Sequence, residues 1–214
     1  MSNGIQYRAF TWDDVEPLTA MLNLAAEADG DDGRLTGAEV ERQLRLPGSD
    51  PLVDSILALT SSGNIVGAGR IVLIPESGRV MSIGAVHPHF RRQGIGSYLV
   101  QWCDARAVVC AESAVPAEVT LYVQRFANET NTGAKALLAG AGYQPVRYFY
   151  TMHRDLDTPQ AEPALPPGIT LRPFVLGRDA HAVFDAVADS FSEHWGMGGF
   201  DFERWSHTVL EDPR

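Results

Sequence analysis

The residues best suited to chemistry lie in one short run, Val86-His87-Pro88-His89-Phe90-Arg91-Arg92-Gln93-Gly94-Ile95-Gly96-Ser97. Glycines at 94 and 96 let backbone N–H groups face outward with no Cβ in the way. An apolar helix pattern follows, so a helix N-terminus with its partial positive charge falls at this loop, and Arg91 and Arg92 add full charges beside it. Together these features make a cradle for a pyrophosphate. No Gly-Lys-Ser/Thr follows, so the loop is not a Walker loop. Position 99 is Leu, so the third glycine of a dinucleotide fingerprint is missing. A bare Gly-x-Gly is also an ordinary turn, and the surrounding elements must decide between the two.

Those elements can be read from periodicity and punctuation. Ile5–Phe10 alternates as a strand. Asp13 or Asp14 then caps a helix with the stripe Val15, Leu18, Leu22 and Ala25, in which Pro17 falls in the tolerant first turn. The loop Glu27–Gly33 is acidic. Thr36 with Glu39 forms a capping box for a second helix that ends before Pro47. Ser55–Thr60, Ile65–Ile74 and Arg79–Val86 read as strands joined by turns at Ser62-Gly63-Asn64 and Pro75–Gly78. After the glycine loop comes a helix carrying Ile95, Leu99, Trp102, Cys103 and Cys110 on one side. Glu118–Val123 is a strand, Asn131–Leu138 a helix stopped by Gly140 and Gly142, and Tyr143–Arg154 a last aromatic strand.

Residues 156–168 form a Pro-rich linker. Beyond it, Ile169-Thr-Leu-Arg-Pro-Phe174 shares with Ile5-Gln-Tyr-Arg-Ala-Phe10 the pattern Ile-x-Φ-Arg-x-Phe, where Φ is apolar or aromatic. Each copy precedes an Asp-capped helix, the second bearing Val183, Phe184, Val187 and Phe191, and a further helix carries Trp205 and Val209. The pattern reads as the start of a second copy of the same domain. Counted at the spacing of the first copy, its glycine loop would fall beyond Arg214. The domain expectation is therefore 1–155, a linker at 156–168, and a partial second domain at 169–214.

Composition narrows the classes. A net charge of −10 argues against general nucleic-acid binding, which needs a basic face. No apolar run reaches the roughly 18 residues of a membrane span, and the N-terminus lacks a basic region followed by an apolar one, so a cytoplasmic protein with no membrane association is expected. Cys103 and Cys110, if on one helix, lie about 10 Å apart, too far for a disulfide, and read as reduced thiols. His87 and His89 have no nearby carboxylate or cysteine to complete a zinc site.

Strand, Val-x-Pro, Arg-x-x-Gly-x-Gly and apolar helix, in that order, resemble the acetyl-CoA-binding motif of the GNAT N-acetyltransferases, with Arg91, Gly94 and Gly96 at the three signature positions. A second element of that family, an Asn ahead of an Ala-containing helix closed by a Gly-aromatic pair, matches Asn131, Ala134, Leu137 and Gly142-Tyr143. The resemblance covers residues 1–155. It implies an α/β (α+β) GNAT fold, with a mixed, mostly antiparallel central sheet flanked by helices. It also implies acetyl-CoA as acyl donor, no metal, and transfer of an acetyl group to the amine of a small molecule by direct attack on the thioester. On this resemblance the pantetheine arm lies along Ala85 and Val86, where the fourth and fifth strands part. Arg91, Arg92, Gln93, Gly94, Ile95, Gly96 and Ser97 form the pyrophosphate loop, and Asn131 lies near the pantetheine or at the start of the helix that follows it. The paired arrangement resembles the double-domain acetyltransferases of the mycothiol synthase family, and the partner expected besides the amine is a second copy of the chain or the rest of a second GNAT-type domain.

The catalytic residues stay unassigned. Many family members place a Tyr as proton donor just before the Gly-aromatic pair, and here that position is Leu138. Either another group donates, with Tyr122, Tyr143 and Tyr148 as candidates, or this is a silent acyl-CoA-binding half whose partner domain does the chemistry. Glu27, Asp29, Asp31 and Asp32 could draw in an amine or simply be a solvated loop. His194 and Trp195 could line a cleft between the halves.

Overall fold

The computed structural model of the chain describes residues 4–31, 33–157, 164–195 and 201–211. Five strands form one sheet in sequence order: β1 (Gln6–Ala9), β2 (Ser55–Leu59), β3 (Ile65–Ile74), β4 (Arg79–Val86) and β5 (Tyr122–Gln124). The first four are antiparallel, and only β4 and β5 run parallel. The mixed, mostly antiparallel sheet is the one expected.

Helices cover both faces. Helix α1 (Val15–Ala28) and helix α2 (Gly37–Leu44) lie on one side, where Leu18, Met21, Val40 and Leu44 pack with Phe10, Leu57 and Leu59. Helix α4 (Ile95–Ala114) covers the other, where Ile95, Leu99, Cys103 and Ala107 meet Ile56, Ala58, Val66 and Val80. All five residues of β2 are buried, because alternate side chains serve the two layers. A four-residue helix α3 (Pro51–Asp54) escaped the sequence reading; Asp50 caps it by accepting from Leu52 N at 3.0 Å, and Pro51 stands in its first turn. The Thr36–Glu39 capping box forms as read, with Thr36 N donating to Glu39 Oε2 at 2.7 Å.

Two glycines of β3 fix the height of α4 above the sheet. A Cβ at Gly67 would come within 2.9 Å of Ile95, and one at Gly69 within 3.0 Å of the Cys103 sulfur. The helix therefore lies directly on the strand, and its N-terminus sits beside the C-terminal end of β4.

Helix α5 (Thr132–Gly140) follows β5. The strand expected at Tyr143–Arg154 does not form. Val146, Tyr148, Phe149, Tyr150 and Met152 are exposed, and no ladder reaches them. β5 is only three residues long and begins later than Glu118, so it offers little edge on which a further strand could register. Ile169–Phe174 likewise makes no strand, while helix α6 (Ala180–Ser190) and helix α7 (Phe202–Trp205), continued by a π-helical turn at Ser206–Leu210, account for the two C-terminal helices.

Candidate active site

Strands β4 and β5 pair at only three positions, the last being Met81 with Gln124, and then part. From Ser82 to Val86 the β5 side of β4 carries no strand. A cleft of about 1090 Å³ opens there, walled by β4, the first turns of α4 and the first turns of α5. Its lining includes Ala85, Val86, Arg91, Arg92, Gly94, Gly96, Ser97 and Asn131. Gln93 and Ile95 are not among the lining residues, and the Ile95 side chain is fully buried in the core under α4. Strand alternation refines the edge. His87 N donates to Val66 O on β3 at 2.9 Å, so Ala85 also turns its backbone groups toward β3, while Gly84 and Val86 turn theirs toward the cleft.

At the mouth of the cleft, Arg92 and Gly94 both adopt left-handed backbone, with φ of 63° and 85°. Gly94 is the N-cap of α4 and supplies no side-chain cap. The amides of Ile95, Gly96 and Ser97 in the first turn have no intrahelical carbonyl to bond. Alternating left-handed residues ahead of an uncapped helix make an anion-binding concavity. Gly96 lets α5 close on this turn, since a Cβ there would lie 3.0 Å from Leu137.

Arg91 does not add a free charge to the loop. Its guanidinium is held by Asp29, at 2.7 and 3.1 Å, and its Nε donates to Val86 O at 3.2 Å. It ties the loop to the end of α1 and to the end of β4, and the charge that faces the cleft freely from this pair is that of Arg92. The same bond removes Asp29 from the acidic loop as an amine site. Asp31 is engaged with Gly33 N, Glu27 is exposed and outside the cleft lining, and Asp32 lies outside the described residues. Asn131 uses its Oδ1 to cap α5 by accepting from Ala134 N at 2.8 Å.

The inner end of the cleft holds a group that no motif announced. Arg125, the residue after β5, has a side chain only 8% exposed and lines the cleft. Its Nε donates to Tyr143 Oη at 3.0 Å, and its Nη2 to Asp104 Oδ1 at 3.2 Å and Val100 O at 3.3 Å. Tyr143 Oη also donates to Asp104 Oδ1, at 2.5 Å. Burial, reinforced by that bond to Asp104, pushes the Tyr143 phenol up from its ordinary value, with Arg125 opposing. Opposite Arg125, Ser82 is buried and its Oγ makes no hydrogen bond of good geometry among the described residues. Leu138 lines the cleft as well, and none of Tyr122, Tyr143 and Tyr148 does. The one sequence signal for Arg125 is a charged residue directly after the strand.

Other candidates fall elsewhere. The His87 and His89 rings lie 5.4 Å apart and tilted by 60°, with His89 N donating to His87 Nδ1 at 3.2 Å, and no group of three metal-ligating side chains forms among the described residues. Trp195 lies under Arg147, and His194 bonds Trp195 O; neither lines the cleft. No described helix is long and apolar enough to cross a membrane.

A sheet opened between parallel β4 and β5, with a glycine loop and helix N-terminus at its mouth, defines a GNAT domain. Comparison with known families agrees: residues 54–145 match the family described as Acetyltransferase (GNAT) domain, so the chain carries a GNAT acetyltransferase domain. Among individual proteins it is similar to the mycothiol acetyltransferases. It is 32% identical to that of Saccharopolyspora erythraea over 158 residues, covering 73% of this chain and 51% of the relative. It is 29% identical to that of Salinispora tropica over 202 residues, covering 94% of this chain and 59% of the relative. A GCN5-related N-acetyltransferase of Sphaerobacter thermophilus superposes with a TM-score of 0.78 at 30% identity, covering 99% of this chain and 64% of that one. A Salmonella typhimurium structure solved with acetyl-CoA shares the fold at 15% identity and a TM-score of 0.53, covering 66% of this chain and 80% of that one. The chain spans roughly half to two thirds of the length of these first relatives.

Proposed function

We propose that the chain is the acyl-CoA-binding domain of an N-acyltransferase that moves an acetyl group to the amine of a small molecule. The observation that carries this reading is the continuity of the cleft from the uncapped α4 turn at Gly94–Ser97 to the unpaired edge at Gly84 and Val86. The turn suits the pyrophosphate and the edge suits the amides of a pantetheine arm, with Val86 N–H free to donate to a carbonyl of that arm near its phosphate end. Val86 O is already engaged by Arg91, which leaves the amide as the free group of that residue. Acetyl-CoA is the donor, and the compound after which the mycothiol acetyltransferases are named, in its unacetylated amine form, heads the panel of acceptors.

A second reading is favoured by a specific observation. Among the described residues no Tyr, His, Cys or Lys lines the cleft, so no side chain is ready to hand a proton to the departing sulfur. In that reading this domain binds acyl-CoA silently, and a second GNAT-type domain of a longer protein does the transfer. The turn at residues 172–179 supports a repeat. Arg172 bonds Asp179 at 2.6 and 3.0 Å and Val175 N bonds Asp179 at 2.9 Å, just as Arg8 bonds Asp14 and Thr11 N bonds Asp14. Calorimetric titration with acetyl-CoA, followed by thiol release over the amine panel, separates the readings. Binding with turnover supports the enzyme, binding without turnover supports the silent domain, and a folded protein that does not bind overturns both.

A further inference from the structure

Acyl transfer from a thioester forms a bond from the amine nitrogen to the carbonyl carbon and breaks the carbon–sulfur bond. The electron pair leaves on sulfur, and the ammonium proton is lost to water. The site must therefore tolerate a thiolate. We propose that Arg125 stabilises this thiolate by charge and hydrogen bonding, in place of a proton donor; the proposal rests on the acyl-CoA reading of the cleft.

The placement follows from the sheet. Ser82 and Arg125 are the residues immediately past the last β4–β5 pair, so they stand on either side of the apex of the opening. From Val86, beside the phosphate loop, the open edge runs inward four residues to Ser82, about 13 Å at strand rise. A pantetheine arm laid along it carries its sulfur to the apex. Arg125 uses Nε and Nη2 on Tyr143, Asp104 and Val100, and the Cys103 thiol of α4 also lies against its guanidinium, which leaves Nη1 without a hydrogen bond of good geometry among the described residues. Ser82 is buried and lines the same space, with its hydroxyl beside the Cys103 thiol of α4. The charged and titratable groups around this apex are Asp104 and the buried Cys103 thiol on α4 and the Tyr143 phenol, with Asp29, Arg91 and Arg92 at the mouth. Tyr143, outside the cleft lining, is a positioning residue that holds the guanidinium.

Free CoA, which carries the thiol, reads this out without any acceptor. Its affinity is measured across pH 6.5–9.5 beside that of acetyl-CoA, which has no thiol and reports every other titration. If Arg125 favours the thiolate, the CoA affinity relative to acetyl-CoA rises several-fold toward pH 9.5, because the bound thiol then ionises at a lower pH than the free one. Arg125→Met abolishes the rise. Asp104→Asn, which keeps the cation and removes its counter-charge, enlarges it, and stands in if Arg125→Met does not fold. A CoA-to-acetyl-CoA ratio that stays flat or falls with pH in the parent protein overturns the proposal. Failure of both ligands to bind overturns the acyl-CoA reading and the proposal with it.

Discussion

At Gly94 two demands meet that only glycine satisfies. The backbone is left-handed, with φ of 85°, and the space beside it is open, so no neighbouring atom would be displaced by a side chain. The cost of a substitution there is therefore conformational strain, about 1–3 kcal/mol, plus whatever the new side chain denies the ligand. Gly94→Val should weaken acetyl-CoA binding about 100-fold or more, because a β-branched residue both resists this φ and covers the amides of the turn. An unchanged calorimetric affinity would remove the loop from the site. The glycine pattern was legible because its requirement is local. The partner of Arg91 was not, since Asp29 lies 62 residues earlier and only the fold brings the two together. The same holds for Arg125, whose partners Asp104 and Tyr143 come from two other segments.

At the scale of elements, the entry into α1 depends on Asp14, which accepts from Arg8 at 2.6 Å twice and from Thr11 N at 2.8 Å. These bonds, led by the one from Arg8, hold the Asp14 carboxyl below its ordinary value of 3.8. A depressed carboxylate stabilises the fold fully above that value and loses its contribution as the pH falls from there through the lowered, folded-state value. Asp14→Asn should therefore cost about 1–2 kcal/mol at neutral pH, a figure kept low because Arg8 is 43% exposed. The difference from the parent should close in urea melts run below pH 3.8. Such capping is visible in sequence, as is the turn punctuation that gave β3 and β4 their observed ends. The strand expected at Tyr143–Arg154 failed for a different reason. Alternating aromatics describe a residue pattern, whereas a ladder needs a neighbour's edge, and three-residue β5 supplies too little of one.

Across the molecule, the C-terminal segment and the cleft are structurally separate, and this separation can be tested. Trp205 is 7% exposed and packs with Phe184 and Phe202, while Arg204 donates to Leu73 O and His207 bonds Arg42 O, so the segment docks on β3 and α2 through residues that do not line the cleft. Trp205→Ala should cost about 3 kcal/mol of stability through the cavity it leaves. It should leave the affinity for acetyl-CoA unchanged. The ligand then supplies a second, independent lever, because a molecule that binds only the folded state stabilises it by mass action, by about 2.7 kcal/mol at a hundredfold excess over its dissociation constant. The two effects should add within about 0.5 kcal/mol, since the sites share no partners. Chemical denaturation of parent and Trp205→Ala protein, each with and without acetyl-CoA, measures all four corners. A coupling well above that margin would mean that the C-terminal segment reaches the cleft, and would join the two halves of the chain into one functional unit.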